Sequence, residues 1–391
     1  MTGFKKFVEK VGLPRLIIGS FFIVLIIVAL ALGLNAPFLF SDIIRRWMMY
    51  SILVLAMVPG VQSGIGLNFG ISLGVVSGLL GAVIAMEVSF VNGWFYHFGA
   101  GAAWLTLLLA LAIAIVISAL VGAAYGMLLN RVKGSEMTVS TYVGFSSIAL
   151  MNIVWIMLRF KNGQLKWPIG SGLRNTASLQ ESFGGLLSDP MVYESPRSIT
   201  VYADVSDVGS VSVQQPKSLG FLAIDVNDSG FVLPLGLILV FALCCLIVWL
   251  FSRSKTGIAL SAAGENELFT LSNGINVDRM RILGTSISTV LGAIGIIMYA
   301  QTYGFLQLYN APLMMGFTAV ASVLLGGATV TRARISNVII GTLLFQGILT
   351  VALPVANELV NVSALPEVTR IIISNGIILY ALSKTRGGNQ R

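Results

Sequence analysis

The chain has 391 residues, of which 56% are apolar and 10% are charged, with a formal net charge of +8 and a mean hydropathy of +0.90. A soluble domain carries about 25% charged residues, so this composition excludes a soluble globular protein, which needs more charges to cover a water-facing surface. The basic residues stand in short segments between apolar runs, where the positive-inside rule accounts for them. This distribution argues against nucleic-acid binding.

Ten apolar runs follow one another along the chain, and a helix of about 20 apolar residues crosses a bilayer core. They lie at 16–34, 47–62, 67–88, 101–128, 138–158, 231–251, 282–302, 315–330, 336–356 and 368–383. The first run is too long for a signal-peptide core and lacks a small-residue cleavage pattern, so we expect it to be retained. The sequence predicts an all-α polytopic membrane protein with about ten transmembrane helices in one domain, 1–391. Most lysines and arginines fall on one side, which predicts that both termini are cytoplasmic.

The segment 161–230 differs from the rest of the chain because it is rich in aspartate, glycine and proline. Ile199-Thr200-Val201-Tyr202 and Val211-Ser212-Val213 alternate in the manner of short strands. With the N-terminus inside, this segment falls outside the cell. We therefore expect a small β-containing extracellular cap, while a disordered loop remains the alternative, although 70 structureless residues would be unusual.

The sequence lacks the residues that catalysis would need. It has no Gly-x-x-x-x-Gly-Lys-Ser/Thr phosphate-binding loop, no supported catalytic triad or carboxylate pair, and only one histidine, His97. We therefore predict no catalytic residue, no metal site and no cofactor in this chain. The predicted spans hold almost no ionisable residues, whereas proton or sodium coupling usually depends on them. A transporter of this composition would take its energy from elsewhere.

Uncharged polar residues and glycines are concentrated in the second and third runs, around residues 62–78. A polar solute that crosses the bilayer must exchange water for other partners, so these residues are candidates for a translocation pathway. The candidates are Gln62, Asn68, Ser72, Ser77, Asn152 and Gln301. Interhelical hydrogen bonding and tight packing remain the alternative explanation for them.

A cytoplasmic loop is predicted at 253–281, and it contains a short amphipathic helix. Glu265 and Glu267 stand in its first turn, where negative charge suits the helix dipole, and Gly274 is a suitable stop. Such a helix could dock into a groove of a soluble partner or lie inertly at the membrane surface. The candidate docking residues are Gly264, Glu265, Asn266, Glu267, Leu268, Phe269, Leu271 and Gly274.

Three segments resemble the permeases of ribose-type ABC importers, a family that carries sugars, nucleosides or autoinducer-2 and is related to branched-chain amino acid permeases. Gly264 to Val277 resembles the family's cytoplasmic loop, Ser63 to Gly70 its Ser-Gly-Ile-Asp-Leu-Ser-Val-Gly, and Val323 to Ala328 its Val-Val-Leu-Gly-Gly-Thr. The resemblance covers roughly 45–383, apart from the cap. This chain departs from the pattern at Gly66, where the family usually has aspartate, and at Arg332 and Arg334.

The resemblance implies half of an importer in a bacterial cell membrane, a transport subunit that is not itself an enzyme. A second permease, identical or paralogous, would enclose the pathway, and cytoplasmic ABC ATPase subunits would bind ATP and magnesium. An extracellular binding protein would deliver the solute, which we expect to be a sugar. A nucleoside or autoinducer-2-type solute is the alternative within the same class, and a self-contained secondary transporter or channel is the alternative outside it.

Overall fold

The computed structural model describes residues 13–91, 95, 98, 101–163, 165, 166, 172–180, 182–189, 197–200, 210–213, 223–226, 231–309, 311–359, 371, 372, 375, 376 and 379. The helices in chain order are α1 Leu13–Ala31, α2 Ala36–Leu55, α3 Met57–Gln62, α4 Ile71–Val91, α5 Ala102–Arg131, α6 Glu136–Met157, α7 Leu235–Arg253, α8 Lys255–Glu265, α9 Glu267–Ser272, α10 Val277–Tyr303, α11 Ala311–Leu325 and α12 Ile335–Leu359.

The described residues also form short strands in three antiparallel pairs. The strands are β1 Thr176–Ser178, β2 Arg197–Thr200, β3 Ser210–Val213, β4 Ile224–Val226, β5 Phe231–Leu233 and β6 Phe305–Gln307. β2 pairs with β3, so that Ile199 lies opposite Val211, and β4 pairs with β5. β1 pairs with β6, which belongs to the connection between α10 and α11. The prediction of a β-containing insertion is therefore confirmed, although Val201 and Tyr202 lie outside the described residues.

The polytopic all-α architecture predicted from the sequence is also confirmed. Among the described residues, seven helices are long and apolar enough to cross a membrane, and two shorter apolar helices lie at Arg15–Ala31 and Ala311–Leu325. The eighth predicted run extends beyond the end of α11, because Gly327 turns the chain with a φ of +80°. The tenth, 368–383, falls mostly outside the described residues, with helical backbone at 371–372, 375–376 and 379.

The centre of the bundle is built by α4, α5 and α10, which pack against one another, and α10 also packs against α2. Small residues allow this close approach. A Cβ added at Gly122 on α5 would lie 2.8 Å from the Cα of Ser286 on α10, and one added at Gly74 on α4 would collide with the carbonyl of Thr289. Helices in lipid associate largely through such close packing, because lipid is as apolar as their side chains.

The bundle has two ends, which we name by what they carry. At the cap end, the Glu87 carboxylate near the end of α4 accepts hydrogen bonds from the backbone N–H groups of Lys161 (2.6 Å) and Asn162 (3.0 Å). The opposite end carries α8, α9, the α5–α6 turn at 132–135 and the turn at 326–334, and we call it the loop end.

Residues 63–70 interrupt the helical path between α3 and α4. Gly64 and Gly66 have φ values of +81° and +82°, a left-handed conformation that glycine adopts without steric cost. Most of this segment is buried. Non-helical backbone at membrane depth is tolerated where protein surrounds it or where it lines a cavity, and the surrounding helices supply that protection here.

Candidate functional site

The three segments that carry the family resemblance lie far apart in sequence and meet at the loop end. A Cβ added at Gly64 would lie 2.9 Å from the Cα of Gly264, and one added at Gly66 would lie 3.2 Å from a methyl group of Val330. The Gln62 side chain donates to the carbonyl of Ala333 at 3.1 Å. The helix break, the end of α8 and the turn after α11 therefore form one packed unit.

A cleft of about 190 Å³ opens beside this junction. Gln62, Glu265 and the turn at 331–334 line it, and Arg332 forms an ion pair with Glu265 at 3.2 Å. Both partners of that pair are largely exposed, so its contribution to stability is small. The arginines at 332 and 334 that depart from the family pattern thus belong to the surface beside α8.

The amphipathic segment predicted at 265–272 is two helices rather than one. Glu265 ends α8, and Asn266 adopts an extended conformation with a φ of −153° before α9 begins at Glu267. The Asn266 side chain caps α9 by accepting from the N–H of Phe269 at 3.0 Å. An asparagine at this position supplies the acceptor that the first turn of a helix lacks, so the break is encoded locally, and Gly264 and Glu265 belong to α8.

The surface of α9 is apolar and exposed. Leu268 is 80% exposed, Phe269 is 61% exposed and Leu271 is 51% exposed, whereas Thr270 is buried against the bundle. Gly274 follows the helix with a φ of +76°, as a helix stop requires. Three large apolar side chains on a helix of six residues, beyond the ends of the spans, form a patch suited to contact with another molecule.

A lysine anchors α9 to the rest of the loop end. Lys133, in the α5–α6 turn, lies 2.7 Å from Glu267 of α9 and 2.9 Å from Asp278 at the start of α10. Hydrogen bonds to Glu267 and then to Asp278 raise the pKa of the Lys133 ammonium above its ordinary value. This single side chain links α9 to three of the long helices, α5, α6 and α10. Sequence reasoning missed Lys133 because its partners are more than 130 positions away.

Beneath this anchor lies a buried ion pair between Arg281 of α10 and Glu136 of α6. Arg281 is almost fully buried, and Glu136 also accepts from the N–H of Gly134 at 2.9 Å. A buried charge is tolerated when an opposite charge and hydrogen bonds compensate for its lost hydration. Arg281 is the last residue of the loop predicted at 253–281, so the sequence alone suggested a surface charge here and not an internal contact.

The predicted pathway residues at 62–77 are mainly part of the packed interior. Asn68 is fully buried, where its Nδ2 donates to the Ser288 hydroxyl at 3.1 Å and its Oδ1 accepts from the Tyr125 hydroxyl at 3.0 Å. Ser77 donates to Leu73 within its own helix. Ser72 donates to the carbonyl of Pro312 on α11 at 3.1 Å. Asn68 precedes α4, and its two hydrogen bonds thus link the start of α4 to α5 and to α10.

The two remaining amides have different surroundings. Gln301 is fully buried, and with its amide oriented to suit its neighbours, its oxygen accepts from the N–H groups of Leu186 (2.7 Å) and Leu187 (2.8 Å). Gln301 therefore fastens the cap-end segment 182–189 to α10. Asn152 lies on α6, and its Oδ1 is buried without a hydrogen-bond partner in the described part of the chain. The structure does not bring Asn152 together with Asn68 or Gln301.

A second opening, a shallow groove with room for about one water molecule, lies between the helix break, α6 and α11. Phe69, Phe145 and Phe317 line it with their rings, and their centroids lie 5.7 Å (69 to 317) and 5.9 Å (145 to 317) apart. Ser72 and Thr141 add hydroxyl groups. Of the predicted pathway residues, Ser72 is the one that reaches this groove. Among the described residues, no group of three His, Cys, Asp or Glu side chains could hold a metal ion.

Comparison with known proteins gives one result. Residues 39–382 match the family model described as "Branched-chain amino acid transport system / permease component". No curated protein and no solved structure matches the chain. The matched range includes every described element from α3 to α12 and most of α2, and therefore the helix break, the loop end and the groove.

Proposed function

Because the chain belongs to the family of permease components of branched-chain amino acid transport systems, we propose that it imports a small polar solute, in our view a sugar, delivered by an extracellular binding protein. Members of this family are transmembrane subunits of ABC transporters and do not themselves carry the catalytic site. A nucleoside or autoinducer-2-type solute is the alternative within the same mechanism. The branched-chain amino acids in the family's description name the family as a whole and do not identify the solute of this chain.

The proposed mechanism assigns the two ends of the bundle different tasks. ATPase subunits dock at the loop end, which we place in the cytoplasm, and the binding protein docks at the cap end. When ATP draws the ATPases together, α9 moves with them, and Lys133 passes this displacement to the α5–α6 turn and to α10. A second permease completes the pathway, so that hydrolysis in another chain drives alternating access in this one.

The observation that carries this proposal is the apolar surface of α9. Leu268, Phe269 and Leu271 are exposed on a capped helix held by an ionic anchor. An exposed apolar group is costly in water, so a pre-formed helix that presents three of them fits a cleft in a soluble partner. An inert helix at the membrane surface would instead bury these side chains among lipid headgroups.

Co-purification with the partner ATPase tests the docking role. Burying one large apolar side chain is worth about 1.5–3 kcal/mol, so Phe269→Ala or Leu271→Ala should weaken docking by about tenfold or more. Leu120→Ala is the matched control, because Leu120 on α5 is equally large and 69% exposed but belongs to a membrane span.

The complex of the permease with its ATPase partner also distinguishes an importer from a self-contained transporter. We expect uptake to stop when the ATPase partner carries an inactivated phosphate-binding loop. Uptake that continues without ATP hydrolysis would defeat the importer assignment, and unchanged docking in both α9 variants would defeat the role of α9 while leaving the transport assignment open.

A further inference from the structure

Two outer helices reach the loop end with the same short arrangement of basic residues. Helix α5 ends at Arg131 and Lys133 follows two positions later, while α7 ends at Arg253 and Lys255 follows at the same spacing. Beyond α5 the lysine is compensated, because Lys133 pairs with carboxylates on α9 and α10. In the part of the chain that the structure describes, neither Arg253 nor Lys255 forms an ion pair. The end of α7 therefore carries uncompensated positive charge.

The guanidinium of Arg253 is held over an aromatic ring. Its Cζ lies 4.1 Å from the centre of the Trp249 ring, which is within the range of a cation–π interaction. Trp249 is 42% exposed, and Arg253 is exposed as well. A guanidinium that stacks through its face keeps the N–H groups at its edge free, and two of these match the oxygens of a phosphate. The pair thus presents hydrogen-bond donors at the end of a membrane span.

The surface that leads to this pair is suited to lipid. Leu243, Leu246 and Leu250 are each about half exposed and recur at helical spacing along α7. Arg253 continues the same stripe three positions after Leu250. Aliphatic side chains in this position contact the acyl chains of a bilayer, whereas tryptophan and arginine at the end of a span lie at the depth of the headgroups. A phospholipid whose acyl chains follow the stripe would therefore bring its headgroup to Arg253.

The first turn of α8 lies at the same boundary. Gly257 permits a sharp corner after α7, since a Cβ there would lie 2.0 Å from the carbonyl oxygen of Phe251. One face of α8 packs against α3, α7 and α10. Lys255 and Ile258, three positions apart, lie on the outward face, where Ile258 is 61% exposed. A cation beside an exposed aliphatic side chain is typical of a helix that lies at the membrane surface.

We propose that the α7–α8 corner, formed by Trp249, Arg253, Lys255 and Ile258, binds the headgroup of an anionic phospholipid from the leaflet at the loop end. The phosphate lies between the guanidinium and the ammonium group, and the acyl chains follow the leucine stripe of α7. The bound lipid fixes the start of α8, the helix that leads to α9. The site is independent of the solute and of the import mechanism proposed above.

Charge and position favour an anionic lipid over other occupants. The corner is continuous with the leucine stripe of α7, so a lipid can cover both, whereas an acidic segment of a soluble protein can cover only the corner. Phosphatidylcholine brings its own cation, which the two basic side chains repel. A basic residue near an anionic membrane surface strengthens binding about fivefold, the equivalent of about 1 kcal/mol. We therefore expect each of the two cations to contribute about this factor.

Tryptophan quenching in nanodiscs tests the site in the full chain. The host lipid is phosphatidylcholine, and brominated phosphatidylglycerol, whose bromines quench tryptophan on contact, is added in increasing fractions. The difference between the unmodified chain and a Trp249→Phe variant isolates the signal of Trp249. We expect half-maximal quenching at a fraction at least about fivefold lower than with brominated phosphatidylcholine. Equal quenching by the two brominated lipids would overturn the proposal.

Variants then test the two cations. Arg253→Gln and Lys255→Gln should each raise the phosphatidylglycerol fraction for half-maximal quenching about fivefold. Arg131→Gln is the matched control, because Arg131 is exposed at the loop end of α5 and should leave the quenching unchanged. An equal shift in the control would replace the site by a general attraction to basic residues. Displacement of the lipid by inorganic phosphate would assign the corner to a soluble anion, and displacement by the ATPase partner would make it a docking surface. Either displacement would overturn the proposal.

Discussion

The interior around Asn68 and the surface of α9 depart from the usual distribution of polarity in opposite directions. Around Asn68, polar groups are buried at the centre of a membrane bundle and hydrogen-bonded to one another. On α9, apolar groups are exposed beyond the ends of the spans. The hydrogen bonds of Asn68 therefore favour a packing role for it, and the exposed apolar groups of α9 suggest a missing partner.

The largest effect should come from breaking the buried ion pair. Glu136→Gln leaves the Arg281 guanidinium buried without its counter-charge, which costs about 3–5 kcal/mol. Thermal unfolding in detergent micelles would measure the loss. The double variant Glu136→Gln with Arg281→Met should regain most of it, because no charge then remains buried. Equal instability of the single and double variants would contradict this account.

A smaller loss is expected from Asn68→Leu. The leucine removes the bonds to Ser288 and Tyr125, and each buried group that loses its bond costs about 1–3 kcal/mol. Ser77→Ala, whose hydroxyl bonds within its own helix, should change stability much less. If Asn68→Leu keeps full stability but abolishes uptake, Asn68 belongs to the pathway after all and the comparison between the two regions fails.

Lys133→Met should cost no more than about 1 kcal/mol, because its ion pairs are exposed to water. We expect it instead to increase the mobility of a spin label at Ser272→Cys on α9. Lys255→Met on α8 is the control. The pKa of Lys133 is raised, so its anchor is complete below the ordinary lysine pKa of about 10.4 and is lost only as the pH rises through the raised value. When Lys133 is retained, the mobility of the label at Ser272→Cys should therefore stay constant between about pH 6 and 9.

The smallest effect on the isolated permease is expected from Phe269→Ala. An exposed side chain away from special features changes stability by about 0.5 kcal/mol or less. Phe345→Ala on α12 is the matched comparison, because Phe345 is fully buried and its removal should cost about 3–5 kcal/mol. A large loss in Phe269→Ala would mean that α9 packs on its own chain and does not await a partner.

Particular residues illustrate how far sequence reasoning reached. Asn266 and Gly274 set the limits of α9 through local backbone chemistry, yet the sequence alone joined Glu265 to that helix, because the capping role of Asn266 was not recognised. Alternation at 199–202 and 211–213 predicts short strands, and the structure has strands at Arg197–Thr200 and Ser210–Val213. Arg281 and Lys133 are among the basic residues between apolar runs, where the sequence predicts water-facing side chains, since single charged residues near the end of an apolar run ordinarily face water.

The sequence by itself determined the membrane class, the order of the spans and the positions of the turns, because hydrophobic runs, glycines and caps act over a few residues. The tertiary structure alone decided which polar groups are buried with hydrogen-bond partners and which line a surface groove. Asn68 and Thr141 are both uncharged polar residues within predicted spans, but one is bonded to Ser288, 220 positions away, and the other lines a groove against α11. Such long-range pairing depends on how helices pack, and no local pattern specifies it.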